Sequence, residues 1–143
     1  MDWTLQTHMA RHAGTPGIVS MSLGGGFSAA LNTAVQHLHD GGMFVVVAAG
    51  GSNTDSCTFS PAGSPHAFTV ASSSIDDSRS YFSEYGACVD TFAPGEQIYS
   101  TVPGNSYAYL SGTSMATPLV AGLASYLATA KNTSDPKEIK FIL

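Results

Sequence analysis

Ile18-Val19-Ser20-Met21-Ser22-Leu23-Gly24-Gly25-Gly26, and further on Met43-Phe44-Val45-Val46-Val47-Ala48-Ala49-Gly50-Gly51, are the two runs whose reading decides the fold. Ile18 to Leu23 predicts a strand, which the glycine triplet ends. From Phe27 the period changes to that of a helix, with Phe27, Leu31, Ala34, Val35 and Leu38 on one face. Gly41-Gly42 stops that helix. Met43 to Ala49 is a continuous, valine-rich apolar run, the pattern of a parallel strand covered on both faces. Strand, helix, strand is the unit of an α/β fold with a right-handed crossover.

Outward from this unit, residues 2 to 12 predict a short helix with Trp3 and Leu5 partly buried, broken by Thr15-Pro16-Gly17. Residues 50 to 66 read as loop, being full of Gly, Ser, Asn and Pro. Short strands are expected at Phe68 to Ala71, Val89 to Phe92 and Tyr107 to Leu110. A helix from about Ser114 to Ala130 is apolar on nearly every side, as in helices at the centre of a larger domain. No internal repeat, linker or low-complexity tract interrupts the chain.

Composition narrows the function. The 143 residues are 43% hydrophobic, enough for a one-domain core, and only 10% charged; soluble domains average roughly 25% charged. Ser, Thr and Gly fill the gap and suggest an extracellular surface. The net charge of -5, with five Lys and Arg of which no two are adjacent, argues against a phosphate-binding surface, so no nucleic-acid partner is expected. No apolar run approaches the roughly 20 residues that span a bilayer, so no membrane partner is expected. Met1-Asp2-Trp3-Thr4-Leu5 lacks the basic and apolar regions of a signal peptide. Cys57 and Cys88 are too far apart for a CxxC motif; they read as two buried thiols or as a pair.

Ligands of open α/β sheets bind beyond the carboxyl ends of the strands. Both principal strands end there in glycine-rich turns, which let another backbone approach. A third turn, Ser111-Gly112-Thr113-Ser114, delivers a hydroxyl to the start of the apolar helix, where free N–H groups and the positive dipole end lie. A nucleophile whose product is an oxyanion benefits from that place.

The run Gly112-Thr113-Ser114-Met115-Ala116-Thr117-Pro118-Leu119-Val120-Ala121-Gly122 closely resembles the nucleophile motif of the subtilisin family, and the resemblance is closest to the proteinase K branch. Ser22-Leu23-Gly24-Gly25, Ala48-Ala49-Gly50 and Phe92-Ala93-Pro94-Gly95 resemble further family segments in the same order. The resemblance implies a parallel-sheet, three-layer α/β fold. It makes residues 1–143 part of a peptidase catalytic domain whose N-terminal part and last C-terminal elements are missing. It implies a serine endopeptidase in which Ser114 attacks the scissile carbonyl and its own backbone N–H helps hold the oxyanion. Ser22, Leu23, Gly24 and Gly25 would pair with an extended peptide or protein substrate, and Ala48, Ala49 and Gly50 would line the pocket for the residue before the cleaved bond. The bland alternative makes these glycines turn formers. No cofactor is implied for catalysis. The branch implies a structural Ca²⁺ held by the backbone oxygens of Pro65 and Ala67 and the carboxylate of Asp90, though Asp90 also reads as a solvated or capping acid. Some branch members pair cysteines at Cys57 and Cys88; such a link is worth roughly 3–4 kcal/mol in the chain-entropy model and points to a secreted parent. The sequon Asn132-Thr133-Ser134 agrees with secretion.

The chain departs from the family pattern in several places. Subtilisins present their triad in the order Asp, His, Ser, and the first two motifs belong upstream of the region matched here. The isolated chain is therefore expected to be inactive, with its N-terminal half or a pro-region as possible partners. His8, His12, His37, His39 and His66 are poor candidates for the missing base. Gly51 stands where the family carries an oxyanion-hole asparagine, and Asn53 could replace it only if the loop were rebuilt. In a subtilisin, loss of that donor costs about 10²–10³ in turnover. Leu119 stands where many members carry His. The alternatives to an active endopeptidase are a dead relative that only binds peptides and a non-enzymatic folding or inhibitory fragment.

Overall fold

In the computed structural model, which describes residues 1–12 and 14–143, the elements follow in this order: α1 (Asp2–Arg11), β1 (Gly17–Met21), β2 (Gly25–Gly26), α2 (Ala29–Asp40), β3 (Met43–Ala48), a 3₁₀ turn (Ser56–Thr58), β4 (Phe59–Ser60), β5 (Phe68–Ser73), β6 (Thr91–Pro94), β7 (Ile98–Val102), β8 (Ser106–Leu110), α3 (Thr113–Lys131) and α4 (Pro136–Ile142). Strands β1, β3, β5 and β6 form a parallel sheet in the order β1-β3-β5-β6.

Every residue of β3 is buried. Successive strand side chains point to opposite faces, so six apolar residues in a row require a layer on each side. Phe44 and Val46 pack with Ala116, Val120, Ala124 and Ala128 of α3, while Met43, Val45 and Val47 pack with Val35 and Leu38 of α2. The result is the expected three-layer α/β arrangement. Each Val, Leu, Phe or Met among these side chains contributes roughly 1.5–3 kcal/mol by burial, and each Ala less.

The element ends differ from expectation where a local polar group intervenes. Helix α2 starts at Ala29 because the Ser28 side chain caps it, accepting from the Leu31 N–H at 3.3 Å. Phe27 therefore lies outside the apolar face and is 72% exposed. In α1, Leu5 packs against the α2 cluster, but Trp3, expected to be partly buried, is 75% exposed. Strand β6 begins at Thr91, not Val89, because the Val89 N–H closes a turn onto the Gly86 carbonyl. Helix α3 buries only one side; Leu119, Leu123 and Tyr126 face outward at 47%, 48% and 70% exposure.

Sequence reading did not anticipate β7, the antiparallel partner of β8, nor α4, nor the β2–β4 pair, whose β4 falls within the expected loop 50 to 66. Cys57 and Cys88 are joined in a disulfide with Cα atoms 5.3 Å apart.

Candidate active site

Three segments converge at the carboxyl ends of β1 and β3 around a cavity of about 410 Å³. Ser22 to Gly25 follow β1, Ala48 to Ser52 end β3 and continue past it, and Gly112 to Ser114 open α3. Hydrogen bonds tie the three together. The Ser22 hydroxyl donates to the Ser114 carbonyl at 2.8 Å, and the Gly50 N–H donates to the Thr113 hydroxyl at 3.2 Å. Thr113 is held in turn by its carbonyl, which accepts from the Thr117 hydroxyl at 2.8 Å. The strand pair Gly25↔Ser60 fixes the glycine segment, and the Ser60 hydroxyl accepts from the Ser28 N–H at 2.9 Å.

Gly112 donates its N–H to the Gly95 carbonyl at 2.7 Å. A Cβ at Gly95 would lie 2.8 Å from the Gly112 carbonyl oxygen and from Ser72 Cβ, so only glycine lets the turn before Ser114 settle there. Ser114 is the second residue of α3. It sits among the N–H groups that have no intrahelical partner, where the helix dipole favours negative charge. The expected nucleophile, pocket and peptide-binding residues thus share one cavity, and Gly51 lines it without a side-chain donor.

Glu84 also lines the cavity, and sequence reading missed it. It follows Ser83 in an irregular segment with no periodicity, where an acid normally reads as a solvated surface residue. Instead it is 2% exposed, and its Oε2 has no hydrogen-bond partner. Its N–H donates to the Gly50 carbonyl at 3.0 Å. Gly50 has φ +120°, and a Cβ there would lie 2.5 Å from both carboxylate oxygens. Burial pushes the Glu84 carboxyl above the usual range; hydrogen bonding from Ser52 opposes this and the Asp55 charge adds to it.

None of the five histidines lines this cavity. His8 packs against Gly17 at the amino end of β1, with His12 6.3 Å away between ring centres. His37 and His39 occupy the last turn of α2, ahead of β3. His39 lies 5.4 Å from His66, which precedes β5. Burial, and then the neighbouring charge of His66, holds His39 below its ordinary value. Asn53 is likewise turned elsewhere, its side-chain oxygen accepting from Arg79 at 2.9 Å.

Pro65, Ala67 and Asp90 do line one surface cavity, of about 300 Å³. As placed, however, they do not fit a calcium ion. Asp90 Oδ2 accepts from the Thr69 N–H at 2.8 Å, and Oδ1 is paired with Lys140 Nζ at 2.6 Å. An ammonium thus occupies the side of the carboxylate that a divalent ion would need. Among the described residues no cluster of three or more His, Cys, Asp or Glu is placed to hold a metal. Nor, among them, is any helix long and apolar enough to cross a membrane.

The sequence profile of the subtilase family matches residues 3–143. Alkaline protease 1 of Aspergillus flavus is 43% identical over 140 residues, covering 96% of this chain and 35% of that protein. Alkaline serine exoprotease A of Vibrio alginolyticus is 43% identical over 143 residues, covering 100% of this chain and 26% of that protein. The crystal structure of a cold adapted subtilisin-like serine proteinase superposes with a TM-score of 0.92 at 46% identity, over 99% of this chain and 50% of that one. The chain thus spans about a third or less of these two curated relatives and half of the solved structure.

Proposed function

The chain belongs to the subtilase family of serine peptidases, and we propose that the protein carrying it hydrolyses peptide bonds through an acyl-enzyme on Ser114. The observation that carries this reading is the convergence of the β1 turn, the β3 turn and the amino end of α3 on one cavity. Ser114 Oγ attacks the scissile carbonyl, and the Ser114 N–H stabilises the oxyanion from the helix terminus. Ser22 to Gly25 pair with the extended substrate as an added strand, with Ala48 to Gly50 forming the wall opposite.

The base that activates Ser114 comes from outside the described residues, since no histidine reaches the cavity. A serine without one is a poor nucleophile, so the chain alone is inactive as a hydrolase. The remaining length of the parent, as its N-terminal half or a pro-region, is the partner this reading requires, and the outward Leu119, Leu123 and Tyr126 offer it an apolar surface. The disulfide supports an extracellular setting. A calcium ion at Asp90 enters the reading only if Lys140 swings away.

One observation favours a second reading, a protein that binds peptides without cleaving them: Gly51 supplies no side-chain donor to the cavity. Serine-directed fluorophosphonate labelling and peptide hydrolysis by the longer protein separate the two. Labelling at Ser114 that is lost in Ser114→Ala supports the protease. Peptide binding with neither labelling nor hydrolysis supports the binding-only form, and hydrolysis that survives Ser114→Ala overturns the role of Ser114.

A further inference from the structure

Among the described residues, Glu84 is the one lining the Ser114 cavity that carries a formal charge. Its side chain is almost wholly buried and one carboxylate oxygen has no donor. The nearby cation does not neutralise it. Arg79 is spent elsewhere, donating to Asn53 and to the carbonyls of Ser80 and Ser83, with its guanidinium 5.0 Å from the centre of the Tyr85 ring. The other charged group acting on Glu84, Asp55, has the same sign. A buried acceptor left without a donor is unfavourable, the more so when charged. A cavity of about 410 Å³ lies within the range that holds ligands with long side chains.

We propose that Glu84 makes this cavity a pocket for a basic side chain, so that arginine or lysine is preferred before the cleaved bond. The inference rests on the peptide-groove reading above. A guanidinium or ammonium seated between the Gly24 and Gly50 walls supplies a compensating charge to the carboxylate packed behind Gly50. An apolar side chain in the same place leaves the buried charge uncompensated and removes the water that screens it. Sites built around a polar partner reject analogues that lack it far more strongly than apolar pockets discriminate by size.

Binding tests this without needing turnover. Fluorescent peptides identical except for a C-terminal arginine or norleucine are titrated against the longer protein carrying Ser114→Ala and against the same protein with Glu84→Gln added, a substitution that keeps the shape and removes the charge. Circular dichroism confirms that both proteins are folded. The arginine peptide is expected to bind at least about ten-fold more tightly than the norleucine peptide, and the ratio should collapse toward one in Glu84→Gln. It should also shrink as the pH is lowered through the raised Glu84 pKa, because the protonated acid offers no charge. Equal binding of the two peptides in the Glu84 protein leaves the groove standing and overturns the basic pocket. So does an arginine preference that Glu84→Gln leaves intact. Binding of neither peptide overturns the groove reading, and this inference with it.

Discussion

Gly50→Ala tests the packing of the candidate site most directly. Gly50 has φ +120°, a region L-residues rarely enter, and its missing Cβ would fall 2.5 Å from both Glu84 carboxylate oxygens. Backbone strain of this kind costs about 1–3 kcal/mol, and forcing a methyl into filled space about 1–3 kcal/mol more. The expected loss is therefore about 2–6 kcal/mol, a large share of the roughly 5–15 kcal/mol that holds a domain together. The two contributions separate in a double-mutant cycle. Glu84→Ala removes the atoms the new methyl strikes, so in its background Gly50→Ala should retain the backbone cost and shed the steric one, a coupling of about 1–3 kcal/mol. Urea unfolding of the four proteins near pH 7, followed by far-UV circular dichroism, measures each step. A Gly50→Ala loss below about 1 kcal/mol refutes the strain argument; a coupling near zero refutes the contact.

Two further outcomes concern the opposite end of the sheet. His39 is held below its ordinary value, mainly by burial and next by His66, with Lys137 and Lys140 acting in the same sense and Asp40 against them. A depressed folded-state pKa stabilises above the unfolded value and is lost as pH falls through it. Stability should thus drop as pH falls below the ordinary histidine value of 6.5 more steeply than in His39→Gln, and matching slopes in the two proteins would exclude the effect. At Asp90, Lys140→Ala should cost no more than about 1 kcal/mol, as for partly exposed ion pairs, while freeing a carboxylate oxygen for a hard cation. Calcium should then raise the melting temperature of Lys140→Ala and leave the chain with Lys140 unchanged; equal shifts in both would show that the ammonium does not compete.

What the sequence discloses follows from the range of the interactions involved. The β1-α2-β3 unit is legible because its signals are local: six consecutive apolar residues, a helical period and glycine stops. Ser22 to Gly25, Ala48 to Gly50 and Ser114 are legible because motifs mark them, even though only folding brings them to one cavity. β8 is legible at Tyr107 to Leu110, but β7, which among the described residues pairs with β8 alone, keeps most of its side chains exposed, so burial imprints no pattern on it. β2 and β4 are two residues each, too short to signal at all. Helix α4 did carry a readable start, Asp135 capping the Lys137 N–H at 2.9 Å with Pro136 in the first turn, and only its shortness hid it. Glu84 and Lys140 were illegible for another reason. Each looks like a surface charge until the partner from a distant segment, Gly50 or Asp90, is in place.

The Cys57–Cys88 link encloses β5 and, just beyond it, a turn in which Ile75 is fully exposed at 103%. Exposed tips of this kind are where chains are cut. A cut between Ile75 and Asp77 would leave two polypeptides still joined through sulfur, with β5 and β6 on separate pieces yet paired edge to edge. On a gel without reductant such a molecule would migrate as one species, and with reductant as two. Purity judged under only one of those conditions would therefore misjudge how much of a preparation has an intact backbone.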